Sequence, residues 1–173
     1  MMTTLSRNIL KLVALTAILA LPATALGASG KFEKSIDVDG GAVVHVNNDS
    51  GTVRVTGGDV DKVTIRAHIR IKERMARTDP SRAQKIVNGI KRVPPISVEG
   101  NRIKITKIER RAYQKHASIS YDIIVPRNSD VEVHSVSGNV VVSGVTGDVN
   151  ATSDSGKVTL ADARADNEGT PAA

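Results

Sequence analysis

Between Ser129 and Ala163 apolar and polar positions alternate inside a phrase that returns every nine residues. Its four copies are Ser129-Asp130-Val131-Glu132-Val133, Ser137-Gly138-Asn139-Val140-Val141-Val142, Thr146-Gly147-Asp148-Val149-Asn150-Ala151 and Ser155-Gly156-Lys157-Val158-Thr159-Leu160. Val131/Val133, Val140/Val142, Val149/Ala151 and Val158/Leu160 fall on one side of their strands, with Glu132, Val141, Asn150 and Thr159 on the other. Units this small cannot bury an apolar face alone, so the period predicts strands stacked into a shared core. Gly138, Gly147 and Gly156 are expected where φ is positive or where neighbouring coils approach closely.

Upstream, alternation continues through Phe32–Val38, Ala42–Val46 and Thr52–Val55, separated by Asp39-Gly40-Gly41 and by Asn47-Asn48-Asp49-Ser50-Gly51 as turns. Lys62–Ile71 reads as a long strand with Val63, Ile65, Ala67, Ile69 and Ile71 inward and a basic outer face. Ile96–Val98 and Arg102–Ile108 form a hairpin pattern about Glu99-Gly100-Asn101. Ser118–Val125 is a further strand ended by Pro126. One stretch changes period: Ala83, Ile86, Val87 and Ile90 share a helical stripe, opened by Thr78-Asp79-Pro80-Ser81 and stopped by Pro94-Pro95. It predicts one α-helix over about residues 80–92, inside an insertion. Glu109–His116 reads as a polar, basic loop.

The expected fold is therefore mainly all-β. A meander of nine-residue hairpins would show the same repeat, but the Asn-Gly or Asp-Gly two-residue turns of tight hairpins do not recur in it. The reading favours a single-stranded β-solenoid, or β-helix-like stack, with two nine-residue edges per coil.

The N-terminus adds a destination. Arg7 and Lys11 precede the ten-residue run Leu12–Leu21, and Ala23-Thr24-Ala25 supplies a small-x-small cleavage site, the three parts of a secretory signal. A transmembrane anchor would need about 20 apolar residues before a break such as Pro22. Residues 1–25 are read as the signal, with cleavage after Ala28 as the alternative, 29–160 as one β-domain and 161–173 as a polar tail. The protein is expected to be exported, either periplasmic or secreted to the cell surface, with no membrane span after cleavage. With no Cys in the chain, neither a disulfide scaffold nor a Cys-linked lipid anchor is available.

Composition narrows the chemistry. Phe32, Tyr113 and Tyr121 are the only aromatics, too few for a base-stacking platform, so specific nucleic-acid binding is not expected. Lys62–Lys115 holds sixteen Lys and Arg against four acids, a net +12, whereas the remaining chain beyond residue 25 carries −8. Two readings follow: the basic segment neutralises the acidic repeats of its own molecule, or it presents Arg66, Arg70, Lys72, Arg74, Arg110, Arg111 and Lys115 to anionic surface polymers or lipids.

No catalytic, cofactor or metal set is read from the chain. Ser and Asp are abundant without a Gly-x-Ser-x-Gly elbow and suit turns. His45, His68, His116 and His134 lack the short spacing of zinc ligands and are expected to point outward. The repeats invite comparison with calcium-binding rolls, but the phase of Asp130, Asp148, Asp154 and Asp162 wanders.

Asn48-Asp49-Ser50-Gly51-Thr52-Val53-Arg54-Val55-Thr56-Gly57, Tyr121-Asp122-Ile123-Ile124-Val125-Pro126, and the run from Val136-Ser137-Gly138-Asn139-Val140 through Gly147-Asp148-Val149-Asn150-Ala151 to Ser155-Gly156-Lys157-Val158 resemble the bacterial "putative adhesin" domains of unknown function. The resemblance spans nearly all of the chain after the signal. It implies a β-helix-like fold and a non-enzymatic envelope role with no catalytic residues, its partner being an unidentified envelope protein or surface polymer. One departure is that the Ser-Gly units stop at Leu160, where family members often continue. That leaves strand edges to be covered by the tail, by the helix, or by homo-oligomerisation through the solenoid ends.

Overall fold

The computed structural model describes residues 28–162. The signal of residues 1–25 and nearly all of the expected polar tail lie outside the described residues.

Chain order is β1 (Ser29–Asp37), β2 (Val43–Ser50), β3 (Val53–Gly58), β4 (Lys62–Ile71), α1 (Glu73–Thr78), α2 (Pro80–Arg92), β5 (Ile96–Glu99), β6 (Arg102–Ile105), α3 (Arg111–Gln114), β7 (Ala117–Pro126), β8 (Asp130–Ser137), β9 (Val140–Ser143), β10 (Val149–Ser155) and β11 (Val158–Ala161). The strands form two mixed, open sheets, ordered β1-β4-β7-β3-β9-β11 and β10-β8-β2-β6-β5. The mainly-β expectation holds. The nine-residue units become alternate strands of the two sheets: β8 and β10 lie in one, β9 and β11 in the other.

Each strand of this stack pairs in parallel with the one eighteen residues on, Val131 beside Val149 and Val140 beside Val158. The upstream pair β2 and β3 joins the same stack, Val44 beside Val131 and Val53 beside Val140. Beside these parallel strands β1, β4 and β7 run antiparallel, as do β5 and β6. Alternation fills one core from both sheets, with Val44, Val46, Val131 and Val133 on one side and Ile65, Ile69, Ile123, Val140 and Val142 on the other.

The turns between sheets explain the glycines. Gly51, Gly138 and Gly156 stack at one corner, where a Cβ on Gly138 would run into the Gly51 carbonyl oxygen and one on Gly156 into that of Gly138. Gly138 also has φ +154°, a conformation other residues rarely adopt. Gly147 lies as closely over the Ser129 carbonyl. Side chains tie the coils too: Asp130 Oδ1 accepts from the Asp148 amide and Asn139 Oδ1 from the Lys157 amide, both at 3.0 Å.

The expected helix is α2. Asp79 Oδ1 accepts from the Arg82 amide at 2.9 Å, Pro80 opens the first turn, and Ala83, Ile86, Val87 and Ile90 are buried. Gly30 of β1 lacks the side chain that would collide with Val87, so the helix seats directly on the strand.

Three local expectations need correction. The basic loop contains α3, and a further short helix, α1, follows β4; neither buries a residue, so neither carries an apolar stripe for a sequence to reveal. Asn47–Ser50 continues β2 instead of turning. Asn48 faces inward and donates through Nδ2 to the Gly51 and Ile119 carbonyls, both at 3.1 Å, which satisfies the polar group that made the segment look like a loop.

Candidate interaction surfaces

The basic segment supplies β4, the three helices, β5 and β6, and so lies at the side of the molecule away from the last coil. Its ion pairs bear on both charge readings. Among the described residues it makes three: Arg66 with Glu33 at 2.9 Å, Lys107 with Asp49 at 3.5 Å, and Arg77 with Glu73 one helical turn away. None reaches an acid of the nine-residue repeats. Neutralisation within the molecule is therefore local, and most of the segment's cations lack an acidic partner among the described residues.

The seven residues read as an anion-binding set divide. Arg66 belongs to a row across the outer face of the first sheet, where register aligns Glu33, Arg66, Asp122 and Arg54 in alternating sign. Arg54 Nη1 donates to Asp122 Oδ1 at 2.9 Å. This row is neutral, so Arg66 is a strand-pairing residue here. Arg110 is also engaged: its guanidinium lies 5.4 Å from the Tyr113 ring centroid, with Nη1 donating to the Tyr113 hydroxyl at 3.3 Å. Tyr113 in turn rests on Gly89 of α2, where a Cβ would press on its ring.

Arg70, Lys72, Arg74, Arg111 and Lys115 are exposed and make no ion pair among the described residues. The backbone gathers them. Arg70 pairs with Ser118 across β4 and β7, and the Lys72 amide donates to the His116 carbonyl at 2.8 Å, beside Lys115. Arg74 follows in α1 and Arg111 opens α3. One antiparallel register thus brings the segment of Arg70, Lys72 and Arg74 beside that of Arg111 and Lys115, as one basic pole.

A second surface was not legible in sequence. On the outer face of the other sheet, His45, Asn47, Ser97, Glu99, Arg102, Lys104, Glu132 and His134 line a shallow groove of about 450 Å³. Parallel register puts His45 beside Glu132, with His45 Nδ1 2.6 Å from Glu132 Oε2, and Asn47 beside His134. His134 Nδ1 lies 3.1 Å from Thr152 Oγ1. His45 and His134 point outward as expected, and both have partners across strands. The signal was present only as matching phase in β2 and β8. Among the described residues no group of three or more His, Asp or Glu side chains converges to hold a metal ion. Nor is any described helix long and apolar enough to cross a membrane.

No protein-family profile and no curated protein matches the chain. Among solved structures it is similar to a putative cell adhesion protein from Clostridium sporogenes, at 8% identity and TM-score 0.43 over 76% of this chain and 60% of that one. It is also similar to a putative adhesin from Parabacteroides distasonis, at 11% identity and TM-score 0.35 over 80% of this chain and 68% of that one. The chain thus spans less than two thirds of the Clostridium protein's length.

Proposed function

We propose that this protein is an exported, non-catalytic β-repeat module of the cell envelope, periplasmic or displayed at the surface, that mediates adhesion or contact with another protein or surface. In this reading β2–β3, β8–β9 and β10–β11 are three coils of a short β-solenoid, each pairing in parallel with the next. The observation that supports it is the eighteen-residue parallel register, which builds a stiff scaffold with extended outer faces suited to contact. The N-terminal pattern of Arg7, Lys11 and Leu12–Leu21 supports export. Fractionation of bacteria expressing the full chain tests this: the product is expected outside the cytoplasm, shortened by its first 25 or 28 residues. Full-length protein retained in the cytoplasm would overturn the reading.

A second reading is favoured by the cations that make no ion pair among the described residues. The pole of Arg70, Lys72, Arg74, Arg111 and Lys115 binds anionic envelope polymers or lipids, with charge supplying the attraction. Retention on vesicles rich in anionic lipid is expected at low salt, loss at high salt, and a marked weakening when the five are replaced by Gln. Equal retention on neutral vesicles, or indifference to salt, would remove it.

A further inference from the structure

Among the described residues both sheets end in strands with one unpaired edge, and the two ends differ in charge. At one end lie β10 and β11, and among the described residues no strand pairs with their outer edges. The Val131 amide donates to the Asp148 carbonyl at 2.8 Å and the Val140 amide to the Lys157 carbonyl at 2.9 Å, which fixes the groups facing the stack. Ladder alternation then turns the N–H groups of Val149, Ala151, Ser153, Val158 and Leu160 outward. Sheet edges are commonly guarded by Lys or Pro, and neither occurs in β10 or β11, while Leu160 is 39% exposed. Eighteen residues beyond Val149 and Ala151 the sequence has Asn167 and Gly169 in place of apolar residues.

At the other end β1 and β5 also leave an edge unpaired among the described residues. There α2, packed on β1, carries Arg82, Lys85, Lys91 and Arg92 with no acid along its length. The coil end carries Asp148, Asp154 and Asp162 against Lys157.

We propose that copies of this chain assemble head to tail, the β10/β11 edges of one adding to the β5/β1 edges of the next, with the acidic coil end against the basic α2 end. The directions are compatible. Two antiparallel reversals make β1 parallel to β11, and one makes β5 antiparallel to β10, so the junction holds one parallel and one antiparallel pair. Strand addition of this kind draws affinity from main-chain hydrogen bonds. An isologous dimer through the coil ends would instead bring like charges together, whereas a heterologous contact leaves ends open and yields filaments. The inference is independent of the envelope reading and survives its failure.

Light scattering and electron microscopy of the purified chain at increasing concentration test it. Mass is expected to grow without a fixed limit at low salt, as extended particles, and to return to one chain at high salt. Ala151→Pro removes one outward donor while leaving the bonds to β8, and is expected to stay monomeric. Leu160→Lys adds a charged guard with no backbone change, and is expected to do the same should Ala151→Pro fail to fold. A monomer at every concentration overturns the proposal, as does a dimer of fixed mass. It is equally overturned if the chain shortened after Asp162 assembles while the intact chain does not, because residues 163–173 would then be the occupant of the edge.

Discussion

Gly138 concentrates what a single residue does in this molecule. Its positive φ costs a side-chain-bearing residue about 1–3 kcal/mol, and a Cβ would meet the backbone of Gly51, which has no flexible end to move aside. Gly138→Ala is expected to lower stability by about 2 kcal/mol or more, read as a shift in the urea midpoint; a change within error would show that the corner can relax. Tyr121 is the opposite case. Its hydroxyl is buried without a hydrogen-bond partner, and burial pushes the phenol well above its usual range. The folded state therefore holds its proton longer than the unfolded state. Stability from this group is intact below pH about 10, the ordinary tyrosine value, and is lost as pH rises from there toward the folded value. Tyr121→Phe is expected to raise stability at neutral pH by about 1 kcal/mol, since an unsatisfied buried hydroxyl is removed without changing the ring. It should also flatten the decline above that pH; an unaltered alkaline decline would count against the burial account.

Among the elements, α2 is legible residue by residue. Asp79 caps it, Pro80 starts it and the stripe Ala83, Ile86, Val87 and Ile90 seats it on β1 and β4. Asp79→Ala should cost about 1 kcal/mol and release the first turn, measured as faster amide exchange at Arg82; unchanged exchange there would mean that packing alone holds the turn. The strands were equally readable where side chains alternate, as in β4, whose bounds coincide with the Lys62–Ile71 pattern. Legibility failed where an element depends on neighbours rather than on its own period. Asn48 is strand because the Ile119 carbonyl lies within reach. The helices α1 and α3 contain no fully buried residue.

At the scale of the molecule, burial falls along the stack. Val131, Val133, Val140 and Val142 are fully enclosed, whereas Ala151 and Val158 are partly open and Leu160 is exposed. Local opening follows contact density, so amides of β4 and β7 should exchange slowest and those of β10 and β11 fastest in the monomer. Uniform protection across the strands would contradict a graded stack. The basic pole is also a property of this scale. The excess of Lys and Arg was visible in Lys62–Lys115, yet only the tertiary contacts, Glu33 for Arg66 and Tyr113 for Arg110, separate these two from Arg70, Lys72, Arg74, Arg111 and Lys115. The groove of His45, Glu132 and His134 joins residues eighty-seven positions apart, a distance across which no spacing rule operates.

The sequence by itself determined the period, the inward faces, the helix and the glycine corners, because each follows from local geometry: two residues per strand repeat, 3.6 per helical turn, and the steric demand of a Cβ. Only the tertiary structure decided which sheet each repeat joins, that the sheets remain open, and which cations are left without partners. Those outcomes depend on pairing register between distant segments, and register is set by how the whole core closes rather than by any one stretch of chain.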